Sequence, residues 1–257
     1  MRTSVVVRSK RSEVSPEEWD ARVNLAAAYR LTAEYGMTDM IANHISVAVP
    51  GEPDHFLINP YGLLYTEITA SNLVKINGNG DIISNSELDL GISRAGFRIH
   101  STIHAARPEM ACIMHTHTRA GMAVSALKCG LLQLTQTATR FDKIGYHRFG
   151  GSGFDENERT SLIENLGDAE VLILRNHGLL TLGETVPEAF NAMYRLELSC
   201  RAQIDAMSCN TDLNLLAPEV IALAQSQWKP QVTRRYGMLE WPALLRHLER
   251  IDPTYKD

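Results

Sequence analysis

A chain of 257 residues with 44% hydrophobic and 21% charged residues has the balance of an ordinary globular protein, with room for one large domain or two small ones. Its formal net charge of -5 supplies no electrostatic footprint for nucleic acid or an anionic membrane. Val5-Val6-Val7 is too short for a secretory core and no apolar run approaches the roughly 18 residues of a spanning helix, so a cytoplasmic protein with no membrane partner is expected. Cys112, Cys129, Cys200 and Cys209 are scattered without CxxC spacing, which reads as reduced, mostly buried thiols.

Residues 1–14 carry Arg2, Arg8, Lys10 and Arg11 without periodicity and read as a flexible tail. Ser15-Pro16-Glu17-Glu18 is a helix start: Ser15 can cap, Pro16 suits the first helical position and Glu18 can close a capping box. Trp19, Val23, Ala26, Ala27 and Leu31 follow at helical spacing, and Gly36 is a stop. Strands are expected at Ile45–Val49, Phe56–Ile58, Val74–Ile76 and Ile82–Ile83, the last two around a turn of Asn, Gly and Asp. A helix should run from Arg94 to Ala106 and end at Arg107-Pro108, because the residue before proline disfavours helical backbone. The strand Ala111–His117 comes next, then a helix in GMAVSALKCG, residues 121–130.

Val171–Leu174 and Leu179–Leu182 read as buried strands flanking Arg175-Asn176-His177-Gly178. Thr185-Val186-Pro187-Glu188 opens a helix reaching Met207, and a short helix follows Trp241-Pro242. No repeat or linker interrupts the pattern. One α/β domain over residues 15–210, with an extension over 211–257 packing on it or on a neighbouring subunit, is the simplest organisation.

Chemistry concentrates at His115 and His117. Residues i and i+2 of a strand share a face, about 6–7 Å apart, so both imidazoles can converge on one ion. The same spacing also occurs as plain polar surface. His177, in a tight segment between two apolar strands, is the available third partner. Three neutral imidazoles with one open position form the donor set of a catalytic divalent metal.

His-Thr-His-Thr followed by Arg-Asn-His-Gly-Leu resembles the class II aldolase/adducin family, as do LINPYGLLYTEIT (57–69), FRIHSTIHAARPEM (97–110), VSALKCGLL (124–132) and VLILRNHGLL (171–180). The likeness spans Trp19 to Met207, and VSALKCGLL leans toward the adducin side. It implies an α/β/α sandwich of three layers with a central, mainly antiparallel sheet, and a homotetramer. It also implies one divalent ion per chain on His115, His117 and His177, commonly zinc, with manganese, cobalt or iron as alternatives. The implied activity is that of a metal-dependent lyase, in which the ion stabilises the enolate left when a carbon–carbon bond of a small-molecule substrate breaks.

Two departures from the family pattern bear on that activity. The glutamate that serves the aldolases as acid and base falls on Gly96, which can neither ligate nor move a proton. In the phosphate-binding pattern, Asn43, Ser46 and Gly62 are retained while Tyr61 replaces a threonine, and Arg94-Ala95 stands where a serine pair is usual. Arg94 suits a carboxylate as well as a phosphate, or is a solvated charge at a helix start. A hydroxy or keto acid is therefore the expected substrate, and decarboxylation tolerates Gly96 better than aldol cleavage. His100 is read as a structural hydrogen-bonding residue, and His104 as facing either solvent or the site. Tyr146 and His147 are candidate catalytic groups, with Tyr236 and Asp142 as weaker candidates for the site. The alternative is a non-catalytic adducin-like module for oligomerisation or protein binding with a relic metal site. Neither a GxSxG elbow nor a P-loop nor a GxGxxG after a strand is present.

Overall fold

The computed structural model describes residues 7–151 and 156–257. The first six residues of the expected tail thus lie outside the described residues; Lys10 is tied to the domain, its Nζ donating to Ser84 Oγ at 2.8 Å and its backbone N to Ser71 Oγ at 3.2 Å.

Among the described residues eight strands form one sheet: β1 (His44–Ala48), β2 (His55–Ile58), β3 (Val74–Asn77), β4 (Ile82–Ser84), β5 (Cys112–Thr116), β6 (Gly145–His147), β7 (Val171–Leu174) and β8 (Gly178–Gly183). Their order is β4-β3-β2-β1-β5-β8-β7-β6. Every pairing is antiparallel except the parallel β6–β7 edge. β1, β5, β7 and β8 are almost wholly buried, as expected of strands covered on both faces.

Among the described residues the α-helices are α1 (Pro16–Glu34), α2 (Arg94–Ala106), α3 (Arg119–Ala126), α4 (Glu156–Leu166), α5 (Val186–Ser208), α6 (Pro218–Trp228) and α7 (Glu240–Ile251). Strand alternation sorts them into two layers. Cys112, Met114, Val171, Ile173 and Leu179 pack with Leu25 and Leu31 of α1, Val124 of α3, and Phe190 and Met193 of α5. The opposite face, through Ile113, Leu172, Leu174, Leu180 and Leu182, packs with Ile103 of α2 and Leu162 and Leu166 of α4. The architecture is therefore the expected α/β fold with helices on both sides of a mostly antiparallel sheet.

Local chemistry accounts for most element ends, with differences in detail. Ser15 Oγ accepts from Glu18 N at 3.1 Å, as read from the sequence. The Glu18 carboxylate does not complete the box; it turns inward to Arg22 Nε at 2.8 Å and Lys75 Nζ at 2.9 Å, because a buried charge holds partners that water would otherwise supply. α3 begins two residues before the expected stretch, where Thr118 Oγ1 caps Gly121 N at 3.1 Å, and ends at Ala126 rather than running to Gly130, whose φ is +64°. α4 and α6 have no counterpart in the sequence expectations. Beyond α6 the chain folds back: Trp241 Nε1 donates to Asn24 Oδ1 at 2.7 Å, Arg30 pairs with Asp252 at 3.1 Å, and the Tyr255 carbonyl accepts from Ala70 N at 2.9 Å.

Candidate metal centre

The site lies on the α2/α4 face. β5 delivers His115 near its end, and His117 follows just past the strand. The β7–β8 turn delivers His177: Asn176 takes a left-handed φ of 58°, and His177 N donates to Leu174 O at 3.0 Å. Gly178 is required there, since a Cβ would fall 2.4 Å from the Thr116 carbonyl. The three ligand atoms gather within 4.8 Å of one another.

The second nitrogens decide what this cluster can do. His115 Nδ1 lies 2.9 Å from the Leu179 carbonyl and His117 Nδ1 lies 3.0 Å from Asp39 Oδ2. Both partners accept, so both Nδ1 atoms carry the hydrogen and both Nε2 atoms present lone pairs. Those lone pairs face each other at 2.8 Å, and His117 Nε2 is 2.9 Å from His177 Nε2. Burial pushes the His115 imidazole well below its ordinary pKa. His177 falls to about 4 through burial and then the neighbouring His117. Neutral rings aimed nitrogen to nitrogen repel unless a cation stands between them. Ligands at about 2.0–2.1 Å from a tetrahedral ion would stand about 3.3 Å apart, so opening each contact by about half an ångström accommodates one. The residues present fit a divalent ion, with Asp39 and the Leu179 carbonyl fixing two of the rings from behind.

A pocket of about 320 Å³ opens over the triad. A larger cavity, about 440 Å³, lies elsewhere, against Arg140, Trp228 and Tyr236. It contains no histidine, so the smaller pocket is the candidate active site. Asn43 lines that pocket with a φ of 107°, and both its amide atoms are buried without a hydrogen-bond partner among the described residues. An amide so placed can offer a donor and an acceptor to a ligand in the pocket. Arg148 is exposed at the rim.

The other expected residues distribute unevenly. His147 lines the pocket, but both its nitrogens are engaged, Nε2 with Glu158 Oε1 at 2.8 Å and Nδ1 with Asn165 Nδ2 at 3.1 Å. Tyr146, its neighbour on β6, points to the opposite face, where its hydroxyl accepts from Leu131 N at 3.1 Å and its ring lies 4.2 Å from the Arg175 guanidinium. Ser46 is fully buried and its hydroxyl is shared between His100 and His104. Gly62, at φ +119°, lies beside Tyr61, which does line the pocket. Arg94 is exposed at the start of α2, in an adjoining depression with Tyr61. Asp142 and Tyr236 line the larger cavity and lie outside the triad's pocket. His104 faces neither solvent nor the pocket: it is 4% exposed and bonded to Ser46.

Sequence inspection missed Asp39, His44 and Glu158. Asp39 sits in a loop 78 residues from its partner His117. His44 stands opposite His115 in the β1–β5 ladder, with ring centroids 5.1 Å apart. Burial, followed by the charges of His117 and His177, lowers its pKa to about 3.

Comparisons with known proteins agree with this geometry. The sequence profile of the "Class II Aldolase and Adducin N-terminal domain" family matches residues 23–204. A putative aldolase class 2 protein of Caulobacter vibrioides is 45% identical over 253 residues, covering 97% of this chain and 96% of that one. Alpha-adducin of Rattus norvegicus is 48% identical over 188 residues, covering 73% of this chain and 26% of the adducin. Among solved structures, an aldolase II superfamily protein from Pseudomonas syringae superposes with a TM-score of 0.91 at 47% identity, covering 97% of this chain and 100% of that one. An L-fuculose 1-phosphate aldolase from Glaciozyma antarctica superposes with a TM-score of 0.84 at 28% identity, covering 94% and 93%.

Proposed function

Because this chain belongs to the class II aldolase/adducin family, we propose that it is a divalent-metal-dependent carbon–carbon lyase, of aldolase or decarboxylase type, acting on a small hydroxy or keto acid. The observation that carries the proposal is the pair of lone pairs on His115 and His117, 2.8 Å apart and oriented by acceptors behind them. A divalent cation held by His115, His117 and His177, zinc in this reading, would supply Lewis-acid stabilisation of the negative charge that develops as the bond breaks.

The protein's own groups set the substrate. Asn43 offers an amide with no internal partner, suited to orienting a carbonyl or hydroxyl. Arg148 places a guanidinium at the rim, where its fork matches a carboxylate. Gly96 supplies no acid or base, which favours decarboxylation over an aldol cleavage that must deprotonate a hydroxyl. The pocket's volume of about 320 Å³ admits a small acid. In this reading the working unit is a homotetramer.

A screen of hydroxy and keto acids with zinc-loaded protein tests this reading. Turnover of at least one acid, abolished in His115→Ala, is expected. Equal background in both proteins across the panel would defeat it. The similarity to alpha-adducin favours a second reading, a binding module that keeps the old site. That module would bind the ion, turn over no acid, and assemble equally well with the metal removed.

A further inference from the structure

Behind the triad, a second set of histidines runs through the protein as a chain of hydrogen bonds. The core-facing stripe of α2 is Phe97, His100, Ile103 and His104. β1 turns His44 and Ser46 toward it by strand alternation. His44 Nδ1 meets His100 Nε2 at 2.8 Å, His100 Nδ1 meets Ser46 Oγ at 2.7 Å, and Ser46 Oγ meets His104 Nε2 at 2.8 Å. The last ring also hydrogen-bonds the Met110 backbone.

That far end sets the direction of the whole chain. The partner offered at Met110 is a carbonyl, which only accepts, so His104 donates to it through Nδ1 and its Nε2 keeps a lone pair. Ser46 must then give its hydroxyl hydrogen to His104. Its oxygen consequently accepts from His100 Nδ1–H. His100 Nε2 is left as an acceptor, and it receives the Nδ1 hydrogen of His44. A neutral His44 thus has one nitrogen remaining, Nε2, and it is a lone pair. His44 belongs to the pocket lining, and its Nε2 has no hydrogen-bond partner among the described residues.

Gly96 makes room for this arrangement. A Cβ at residue 96 would fall 2.1 Å from His44 Nε2 and 2.3 Å from its Cδ2. A side chain on the first turn of α2 and the His44 imidazole cannot both stand there. The glycine therefore leaves the imidazole edge facing the pocket in the space a side chain would fill.

We propose that His44 is the substrate-facing hydrogen-bond acceptor of this site. Its Nε2 lone pair is presented by the one-way chain His44–His100–Ser46–His104, and it selects acids that carry a hydroxyl beside the metal-binding histidines. The identity of the ligand as a hydroxy acid rests on the lyase reading; the direction of the chain does not.

Two measurements on the full-length protein test the proposal. The first is the nitrogen NMR spectrum of protein labelled with ¹⁵N at histidine, near neutral pH and without metal. His44 is assigned by its loss in His44→Phe, or in His44→Asn should the phenylalanine variant not fold. Nε2 should show the shift of an unprotonated nitrogen and Nδ1 that of a protonated one, and Ser46→Ala should release His44 to a mixture of tautomers. A wild-type His44 protonated at Nε2 overturns the proposal. The second is calorimetric titration of zinc-loaded protein with glycolate and with acetate. Wild type should prefer glycolate over acetate by about fivefold more than the His44 variant does, the worth of one hydrogen bond beyond whatever preference the zinc itself supplies. An equal preference in both proteins overturns the proposal. Failure of zinc to bind defeats the lyase reading instead, and the metal-free spectrum then decides the role of His44 by itself.

Discussion

Two groups of histidines stand side by side on one face of the sheet, and their second nitrogens set them apart. In the triad, His115 and His117 each donate backward, to the Leu179 carbonyl and the Asp39 carboxylate, so their front nitrogens confront one another as lone pairs. In the chain behind it, His44, His100 and His104 alternate donor and acceptor through Ser46, and every bond has a hydrogen in it. The first group is left with lone pairs to be satisfied and the second is satisfied except at the pocket end. Ring partners, more than residue type, decide whether buried histidines ligate or relay.

Gly96→Ala should break the second group most severely. Its Cβ would stand 2.1 Å from an imidazole held by His100, and overpacking of this kind costs about 1–3 kcal/mol. Chemical denaturation should register that loss while the triad histidines remain in place. Asp39→Asn should sharpen the contrast from the triad's side: removing the carboxylate behind His117 should weaken metal affinity about 10–100-fold, read by competition with a chelator, with little change in metal-free stability.

Acid should act through the buried histidines of both groups, His104 among them. The folded-state pKa of His104 is near 3, depressed by burial, against about 6.5 in the unfolded chain. Between these values the unfolded chain binds a proton that the folded protein refuses. Its contribution to stability is therefore complete above about pH 6.5 and is lost as the pH falls toward 3, at up to about 1.4 kcal/mol per pH unit. Denaturation midpoints measured across that window should decline, and His104→Gln should flatten the slope.

Much of this architecture was legible in the sequence because the signals are local. The Arg107-Pro108 stop fixes the end of α2, and its expected bounds of 94–106 match those observed. Thr185 caps α5 through Glu188 N, and the His-Thr-His alternation places two histidines of the candidate metal site without any structure. The misses share a different cause. β6 is three residues long and exists through its pairing with β7, and α4 carries too little apolar periodicity to announce itself. Ser46 meets His100 across 54 residues and His117 meets Asp39 across 78, separations at which no pattern in one sequence says which side chains touch. Tyr146 and His147 illustrate the limit well. Both were plausible site residues, yet neighbours on a strand face opposite ways, and His147 alone lines the pocket.

The central claim, that the triad exists to hold an ion, is tested most directly by the metal content of protein purified without added metal, for wild type and His177→Ala. About one divalent ion per chain in the wild type and almost none in the variant is the predicted result. No ion in the wild type, even after incubation with zinc, would contradict the claim and leave the facing lone pairs without a purpose in metal binding.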